Sequence, residues 1–251
     1  MSDDIILRVE HLTKKFGGVT AVNDVSFDLR RGEFMGVIGP NGSGKTTLVN
    51  LISGFVPPTS GKVVFKGHDI TGRRPYAIAD MGLARTFQMV KPFHHMAAYR
   101  NLIIPLYSPR VKRLKGGKFG ERDHVAIDLL EEVGFERDSS VPYKTAGSLP
   151  HGYLKRMELA SVMALRPELI ILDELFSGMS MSEVASTMPI IEKLAQEGKT
   201  MVVIEHRLRE LFRVARRVIV LDYGRKIADG PPSEVMASGE VQKAYLGSEA
   251  A

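Results

Sequence analysis

The chain contains no cysteine. Disulfides and thiolate metal sites are therefore excluded, which agrees with a reducing compartment, and any catalysis must use other groups. Long apolar runs are missing too. No stretch approaches the ~20 residues needed to span a bilayer. The first residues, Met1-Ser2-Asp3-Asp4, lack the basic-then-apolar order of a signal peptide, so the chain is expected to stay in the cytosol. No internal repeat is visible. What remains is 251 residues of ordinary soluble composition, enough for one large domain or two closely joined ones.

The net charge is +5. Basic residues bunch at Arg110, Lys112, Arg113, Lys115 and Lys118, and again at Arg207, Arg209, Arg213, Arg216 and Arg217. Such bunches ordinarily form a solvated face; the other reading is contact with a phosphate-rich surface, lipid headgroup or nucleic acid.

Gly39 to Thr47 reads GPNGSGKTT, and Gly39, Gly44, Lys45 and Thr46 satisfy the spacing G-x-x-x-x-G-K-[ST] of a phosphate-binding loop. Glycines at 39, 42 and 44 let consecutive N–H groups turn inward as a nest for anionic oxygens. Lys45 adds a mobile positive charge and Thr46 a hydroxyl for Mg²⁺. Helical spacing from Thr46 to Ser53 aims the positive end of a helix dipole at the same place. The apolar run Glu33 to Ile38 predicts a buried strand just before the loop, which is the required order of strand, loop and helix. The loop alone does not separate a kinase, a GTPase, a motor or a transport ATPase.

Along the rest of the chain, Ile5 to Val9 and Val19 to Leu29 read as antiparallel strands. Phe16-Gly17-Gly18 between them offers either an exposed ring for a nucleobase or a core residue at a hairpin. Lys62 to Phe65 leads into a further hairpin, Tyr76 to Leu83 reads as a helix, and Ala84 to Phe87 is a short strand before Gln88. From Lys91 to Arg156 helical segments are broken by Pro105, Pro109, Gly116-Gly117 and Gly134, with Asp123 to Val133 the clearest amphipathic run. Lys112 to Gly120 has no apolar periodicity and reads as a surface loop. Two apolar strands follow, Leu169 to Leu172 ending in Asp173-Glu174 and Thr200 to Ile204 ending in Glu205-His206. Carboxylates and imidazole at the carboxyl end of buried strands stand where open parallel sheets bind ligands. Ser180 to Glu183 is a capping box for the helix between them, which Pro189 is expected to start, kink or split. Arg217 to Ala228 closes the chain as a hairpin.

The phosphate loop, Gln88, Asp173-Glu174 and His206 occur in the order and rough spacing of the ATP-binding-cassette ATPases, and the chain resembles that family over nearly its whole length. Within the family it is similar to the ATP-binding subunits of branched-chain amino acid importers. The resemblance is carried by Leu12-Thr13-Lys14-Lys15-Phe16-Gly17-Gly18, Asp69-Ile70-Thr71-Gly72, Ala84-Arg85-Thr86-Phe87-Gln88 and Ala244-Tyr245-Leu246-Gly247. It implies an α/β P-loop NTPase (RecA-like) core with an antiparallel N-terminal β-subdomain and an inserted helical subdomain. The core would comprise 1–90 and 157–251, and the helical subdomain 91–156.

The implied cofactors are ATP and Mg²⁺. By the resemblance Phe16 stacks on adenine, and Gly39, Pro40, Asn41, Gly42, Ser43, Gly44, Lys45, Thr46 and Thr47 hold the phosphates. Thr46, Gln88 and Asp173 serve the metal. Glu174 accepts the proton of the attacking water, and His206 hydrogen-bonds the γ-phosphate. The family's signature segment caps ATP held by a second ATPase chain; here it is Leu149, Pro150, His151 and Gly152, then Tyr153. Pro150 has no N–H or hydroxyl to give, and Tyr153 replaces a small polar or amide residue. Leu175 stands where proline is common, and Ser177 to Ser180 where a loop ending in Asp or Asn is common. Implied partners are membrane permease subunits, contacted through Gln88 and Val90 to Leu106, and a second ATPase, either different or identical. The place implied is the cytoplasmic face of the inner (plasma) membrane, peripherally bound, with no stable nucleic acid. The alternative is a cassette ATPase without transport, a nucleotide-gated scaffold for nucleic acid or protein.

Overall fold

The computed structural model describes residues 4–114 and 122–248. Its first unit is an antiparallel sheet. Strands β1 (Ile5–Phe16) and β2 (Val19–Arg30) form a long hairpin, so the first strand runs well past the predicted Val9. Phe16 sits at its tip, half exposed. β3 (Phe34–Ile38) enters the second sheet and delivers the phosphate loop to helix α1 (Lys45–Ile52). β4 (Ser60–Phe65) and the short β5 (His68–Asp69) complete the first sheet in the order β2-β1-β4-β5.

Helix α2 (Pro75–Met81) is shorter than the sequence suggests. Gly82 ends it at φ +108°, a left-handed value that an L side chain resists, and Leu83 opens strand β6 (Leu83–Arg85). Then come α3 (Ala98–Asn101), α4 (Ile103–Leu106), α5 (Pro109–Leu114), α6 (Arg122–Glu132) and α7 (His151–Ala164). Lys112 and Arg113 belong to α5 and not to a loop; the remainder of that expected loop lies outside the described residues. Strand β7 (Leu169–Asp173), helix α8 (Met181–Gln196) and strand β8 (Thr200–Ile204) follow. Pro189 neither starts nor splits α8, which runs through it from a complete Ser180/Glu183 capping box. Helix α9 (Leu208–Leu211), the hairpin β9 (Arg217–Asp222) and β10 (Arg225–Gly230), and helices α10 (Pro232–Ala237) and α11 (Gly239–Ser248) close the chain.

The second sheet has the order β10-β9-β3-β8-β7-β6, and all but β10 run parallel. Its central strands are apolar along nearly their whole length because both faces are covered. Met35, Val37, Leu169, Ile171, Val202 and Ile204 point into one core, shared with α1 and the antiparallel sheet. Ile38, Ile170, Leu172, Met201 and Val203 point into the other, under the helices. This period of two is the strand pleat itself. Parallel pairing also places the carboxyl ends of β3, β6, β7 and β8 along one edge. The phosphate loop, Gln88, Asp173-Glu174 and Glu205-His206 therefore meet in space although up to 167 residues separate them in sequence.

Candidate active site

The phosphate loop turns out of β3 through backbone that only glycine tolerates at two points. Gly39 has φ +146°, and a Cβ there would lie 2.1 Å from the Leu221 carbonyl oxygen. Gly44 has φ +102°, and its Cβ would lie 2.3 Å from the Ala21 carbonyl oxygen. Gly44 caps α1 with no side chain in the way and no acidic residue follows in the first turn, so the helix N-terminus keeps its amides and its positive dipole for an anion. Lys45 is buried, and its Nζ donates to the carbonyl oxygens of Gly39 and Pro40, each at 2.8 Å. Burial pulls the Lys45 ammonium below its ordinary pKa, against the pull of Glu174 and Asp173. Behind the loop the Tyr245 phenol hydrogen-bonds the Gly39 backbone, and burial pushes it up to about 12.

Asp173 ends β7 fully buried. Its Oδ2 accepts from Arg85 Nη2 at 2.7 Å, and its N–H donates to Thr86 Oγ1 at 3.1 Å. Burial raises the Asp173 carboxyl, with Arg85 opposing. Its Oδ1 is buried with no partner, and so is the hydroxyl of Ser43 in the loop. A buried carboxylate oxygen costs stability unless something polar meets it. The orphaned Asp173 oxygen and the Thr46 hydroxyl, which line the same cleft, make a hard-oxygen pair that fits Mg²⁺, while the Ser43 hydroxyl lies within the phosphate loop beside Gly39.

Glu174 follows in a left-handed conformation at φ +50°, a strain of order 1–2 kcal/mol for a residue with a side chain. Its N–H donates to the Ile204 carbonyl at 2.9 Å, which ties the turn to β8. The conformation swings the carboxylate between two other candidate residues. Oε2 accepts from Gln88 Nε2 at 2.8 Å, and Oε1 lies 3.0 Å from His206 Nε2. Gln88, Glu174 and His206 thus touch, as a proton acceptor with two positioning partners would need to.

Further residues support this edge. Lys155 of α7 is fully buried, and its Nζ donates at 2.7 Å to the Gln88 carbonyl and at 3.4 Å to that of Glu174. Burial lowers its pKa. Glu205 accepts from the Phe176 N–H at 2.9 Å and Glu158 from the Phe87 N–H at 2.8 Å; burial pushes each carboxyl up to about 7. Nothing in a linear pattern marks Lys155 or Glu158, and Glu205 is marked only as a strand-end carboxylate, because each answers a backbone group that folding brings to it.

The expected signature segment lies at the start of α7. Helix α7 begins at His151, inside the signature segment, with Pro150 at its cap. Leu149 is buried, Pro150 and His151 are exposed, and Gly152 is buried. The Gly152 N–H, expected to face a phosphate, donates to Glu183 Oε1 at 3.0 Å. A Cβ at Gly152 would lie 2.5 Å from that oxygen. His151 Nε2 lies 3.1 Å from the Ser177 carbonyl oxygen. Tyr153 turns away from this end, stacking edge-on to Phe135 at 5.0 Å with Arg156 over its ring at 4.3 Å.

Part of each basic bunch is paired within the chain. Arg110 is buried and donates to the carbonyls of Leu165 and Arg166, while Arg217 pairs with Asp229 and Glu33. Arg113 pairs with Asp80 and Arg213 with Glu192. Lys115 and Lys118 lie outside the described residues.

A cleft of about 770 Å³ opens beside the metal end, lined by Thr46, Phe55, Phe87, Phe93, Ile104 and Asp173 among others. Phe55, Phe87, Met89, Phe93 and Ile104 are all exposed apolar side chains.

A sheet edge that gathers a phosphate loop, a metal-ready aspartate and a glutamate held by glutamine and histidine defines an ATP-hydrolysing cassette. The ABC transporter family model matches residues 22–177, and a model of branched-chain amino acid ATP-binding cassette transporters matches 225–251. The chain belongs to the ABC transporter ATPases, and within them it is similar to the ATP-binding proteins of branched-chain amino acid transport. It is 34% identical to the high-affinity branched-chain amino acid transport ATP-binding protein BraF of Pseudomonas aeruginosa, over 96% of this chain and 98% of that protein. It is 32% identical to the probable branched-chain amino acid transport ATP-binding protein LivG of Archaeoglobus fulgidus, over 97% and 96%. The crystal structure of the ADP conformation of MJ1267, an ATP-binding cassette of an ABC transporter, superposes with a TM-score of 0.82 at 31% identity, covering 97% of this chain and 99% of that one.

Proposed function

We propose that this chain is the ATP-driven motor subunit of an importer for branched-chain amino acids or related small polar solutes. Both relatives named above are ATP-binding proteins of branched-chain amino acid transport, each matched over nearly its full length. The observation that carries the catalytic part is the placement of Glu174 between Gln88 and His206 beside the phosphate loop.

In this reading the loop amides of 39–47 and Lys45 hold the phosphates, and Phe16, half exposed at its hairpin tip, stacks on adenine. Glu174 accepts the proton of the attacking water while Gln88 and His206 hold the carboxylate and the water in line. When bound by Thr46, Asp173 and Gln88, Mg²⁺ supplies positive charge that offsets the charge developing on the phosphate oxygens. Everything else is positioning by side chains that the parallel sheet brings to one edge.

The helical subdomain is assigned to 91–156. The apolar cleft between it and the core fits a segment of a membrane permease, which supports the reading of a chain bound peripherally at the cytoplasmic face of the inner (plasma) membrane. No helix among the described residues is long and apolar enough to cross a membrane. Leu149 to Gly152 faces the ATP of a second ATPase chain, identical or different. The pairing of Arg110, Arg113, Arg213 and Arg217 within the chain weighs against a nucleic-acid scaffold.

Comparing wild type with Glu174→Gln tests the reading. Steady-state ATP hydrolysis is expected to fall about 100-fold or more, with nucleotide affinity kept. Equal hydrolysis in both would overturn the assignment of Glu174. Purification from detergent-solubilised membranes tests the partners: multi-span proteins should accompany the chain.

A further inference from the structure

Arg85 is 8% exposed and lies between the metal end and the apolar cleft. Four of its five N–H groups are engaged. Nη2 donates to Asp173 Oδ2 at 2.7 Å; Nη1 donates to Asn50 Oδ1 at 2.8 Å and Ser53 Oγ at 2.9 Å; Nε reaches the Thr86 carbonyl at 3.3 Å. Two aromatic rings cover the guanidinium on the cleft side. Its carbon lies 5.4 Å from the centroid of Phe55 and 4.8 Å from that of Phe87, and the rings meet edge to face at 5.3 Å. Both rings are otherwise exposed, Phe55 at 49% and Phe87 at 40%.

A buried ion pair is held together only when its geometry is good and its remaining hydrogen-bonding groups are met. Here the arginine is fixed from the end of α1, through Asn50 and Ser53, and from the backbone of Thr86. Asp173 is fixed twice, by Arg85 at Oδ2 and by Thr86 at its N–H. One oxygen is left over, the buried and unpartnered Oδ1.

We propose that Arg85 is a positioning residue for the metal site: by taking Oδ2 it presents Oδ1 of Asp173 to Mg²⁺, and the Phe55–Phe87 pair keeps that fork dry and in register. The inference rests on the reading of Asp173 as the metal carboxylate. A positive charge beside a cation site would by itself repel the metal, so geometry and charge act in opposite senses and can be separated. The same rings line the cleft, so whatever fills the cleft also covers the fork that sets the metal carboxylate.

The test uses the full chain with a non-hydrolysable ATP analogue. Mn²⁺ affinity is measured by electron paramagnetic resonance, and metal-free nucleotide affinity and the melting temperature are measured separately. Arg85→Gln should weaken Mn²⁺ binding about 10-fold, the size of one charge-assisted contact, with metal-free nucleotide affinity unchanged. Arg85→Lys keeps the repelling charge and loses the fork, so it should weaken Mn²⁺ more than Arg85→Gln does, about 20-fold. If Arg85→Gln fails to fold, the double change Phe55→Leu, Phe87→Leu leaves every hydrogen bond intact and should weaken Mn²⁺ about 3-fold.

Mn²⁺ binding by Arg85→Gln equal to or tighter than wild type would overturn the proposal, as would an unchanged affinity in the aromatic pair. A lower melting temperature without a split between metal and nucleotide affinities would reduce Arg85 to a structural residue. Asp173→Asn is the control: if it leaves Mn²⁺ affinity unchanged the metal reading itself fails, and if it alone weakens binding only the role of Arg85 fails.

Discussion

The N-termini of α1 and α7 have been prepared in opposite ways. At α1, left-handed glycines open the backbone, no carboxylate follows in the first turn, and the amides and dipole are left for an outside anion. At α7, Pro150 removes a donor and Glu183 of α8 takes the Gly152 N–H. The loops around α7 repeat the device, with Glu158 on the Phe87 N–H and Glu205 on the Phe176 N–H. The same structural element is a ligand site where its donors are left open and a structural joint where the protein supplies its own carboxylate.

The comparison breaks most directly at Lys45. If α1 is the anion site, Lys45→Ala removes the one mobile cation of the loop, and hydrolysis should fall about 100-fold or more, as for loss of a donor to a developing oxyanion. ATP binding by isothermal titration should weaken in parallel. Unchanged binding would mean that the loop's amides suffice and that the open N-terminus alone is the site.

The second test bears on the self-supplied carboxylates. Glu205 is 3% exposed, and burial pushes it up to about 7 from 4.5, so between those values the folded state holds a proton that the unfolded state has released. Its contribution is fully present below about pH 4.5 and is lost as pH rises through about 7. Glu205→Gln keeps an acceptor for the Phe176 N–H and removes the titration. The variant should therefore gain on wild type as pH rises, by about 3 kcal/mol at pH 8 and by nothing near pH 4, at roughly 1.4 kcal/mol for each tenfold difference in proton affinity between the folded and unfolded chain. Denaturant unfolding at the two pH values checks it, and a gap that does not grow with pH would show that Glu205 is already ionised in the fold.

The contrast also explains how much is legible in the sequence. The phosphate loop is readable because its backbone demands glycine at fixed positions, and Asp173-Glu174 and His206 because apolar strands point to their own carboxyl ends. The two-faced core is readable from strands that are apolar throughout. Lys155 and Glu158 carry no signal of their own, and the sequence marks Glu205 only as a strand-end carboxylate and Arg85 only as part of a motif; what each of them holds is far away in sequence and near through the parallel pairing of β6, β7 and β8. Tyr153 reads as a defect in a ligand segment and is a packing residue against Phe135. Pro189 reads as a helix boundary, yet α8 is held by its capping box and its buried face, which outweigh one missing backbone bond. Gly82 ends a helix that apolar spacing alone would carry into Leu83.

The smallest expected effect is also the one that sharpens the contrast most, at Glu183. Its carboxylate is held by the Ser180 N–H at 2.8 Å and by Gly152 at 3.0 Å, and these hydrogen bonds hold it below the usual carboxylate range. A phosphate of a second chain's ATP that approached Gly152 would have to displace this anion. Glu183→Gln keeps an oxygen for the capping box and removes the charge. Net loss of a partly exposed, charge-assisted bond should cost about 1 kcal/mol of stability. The same change makes the Gly152 amide easier to release, by a factor of about 5 if a similar free energy is recovered when phosphate takes its place. On a Glu174→Gln background, where nucleotide persists, ATP-dependent self-association measured by sedimentation should tighten by that factor while melting falls slightly. Weaker association, or none of the expected gain, would mean that the bond to Glu183 builds the docking face instead of obstructing it, and the two helix N-termini would then differ in which chain supplies the anion and not in whether one can bind.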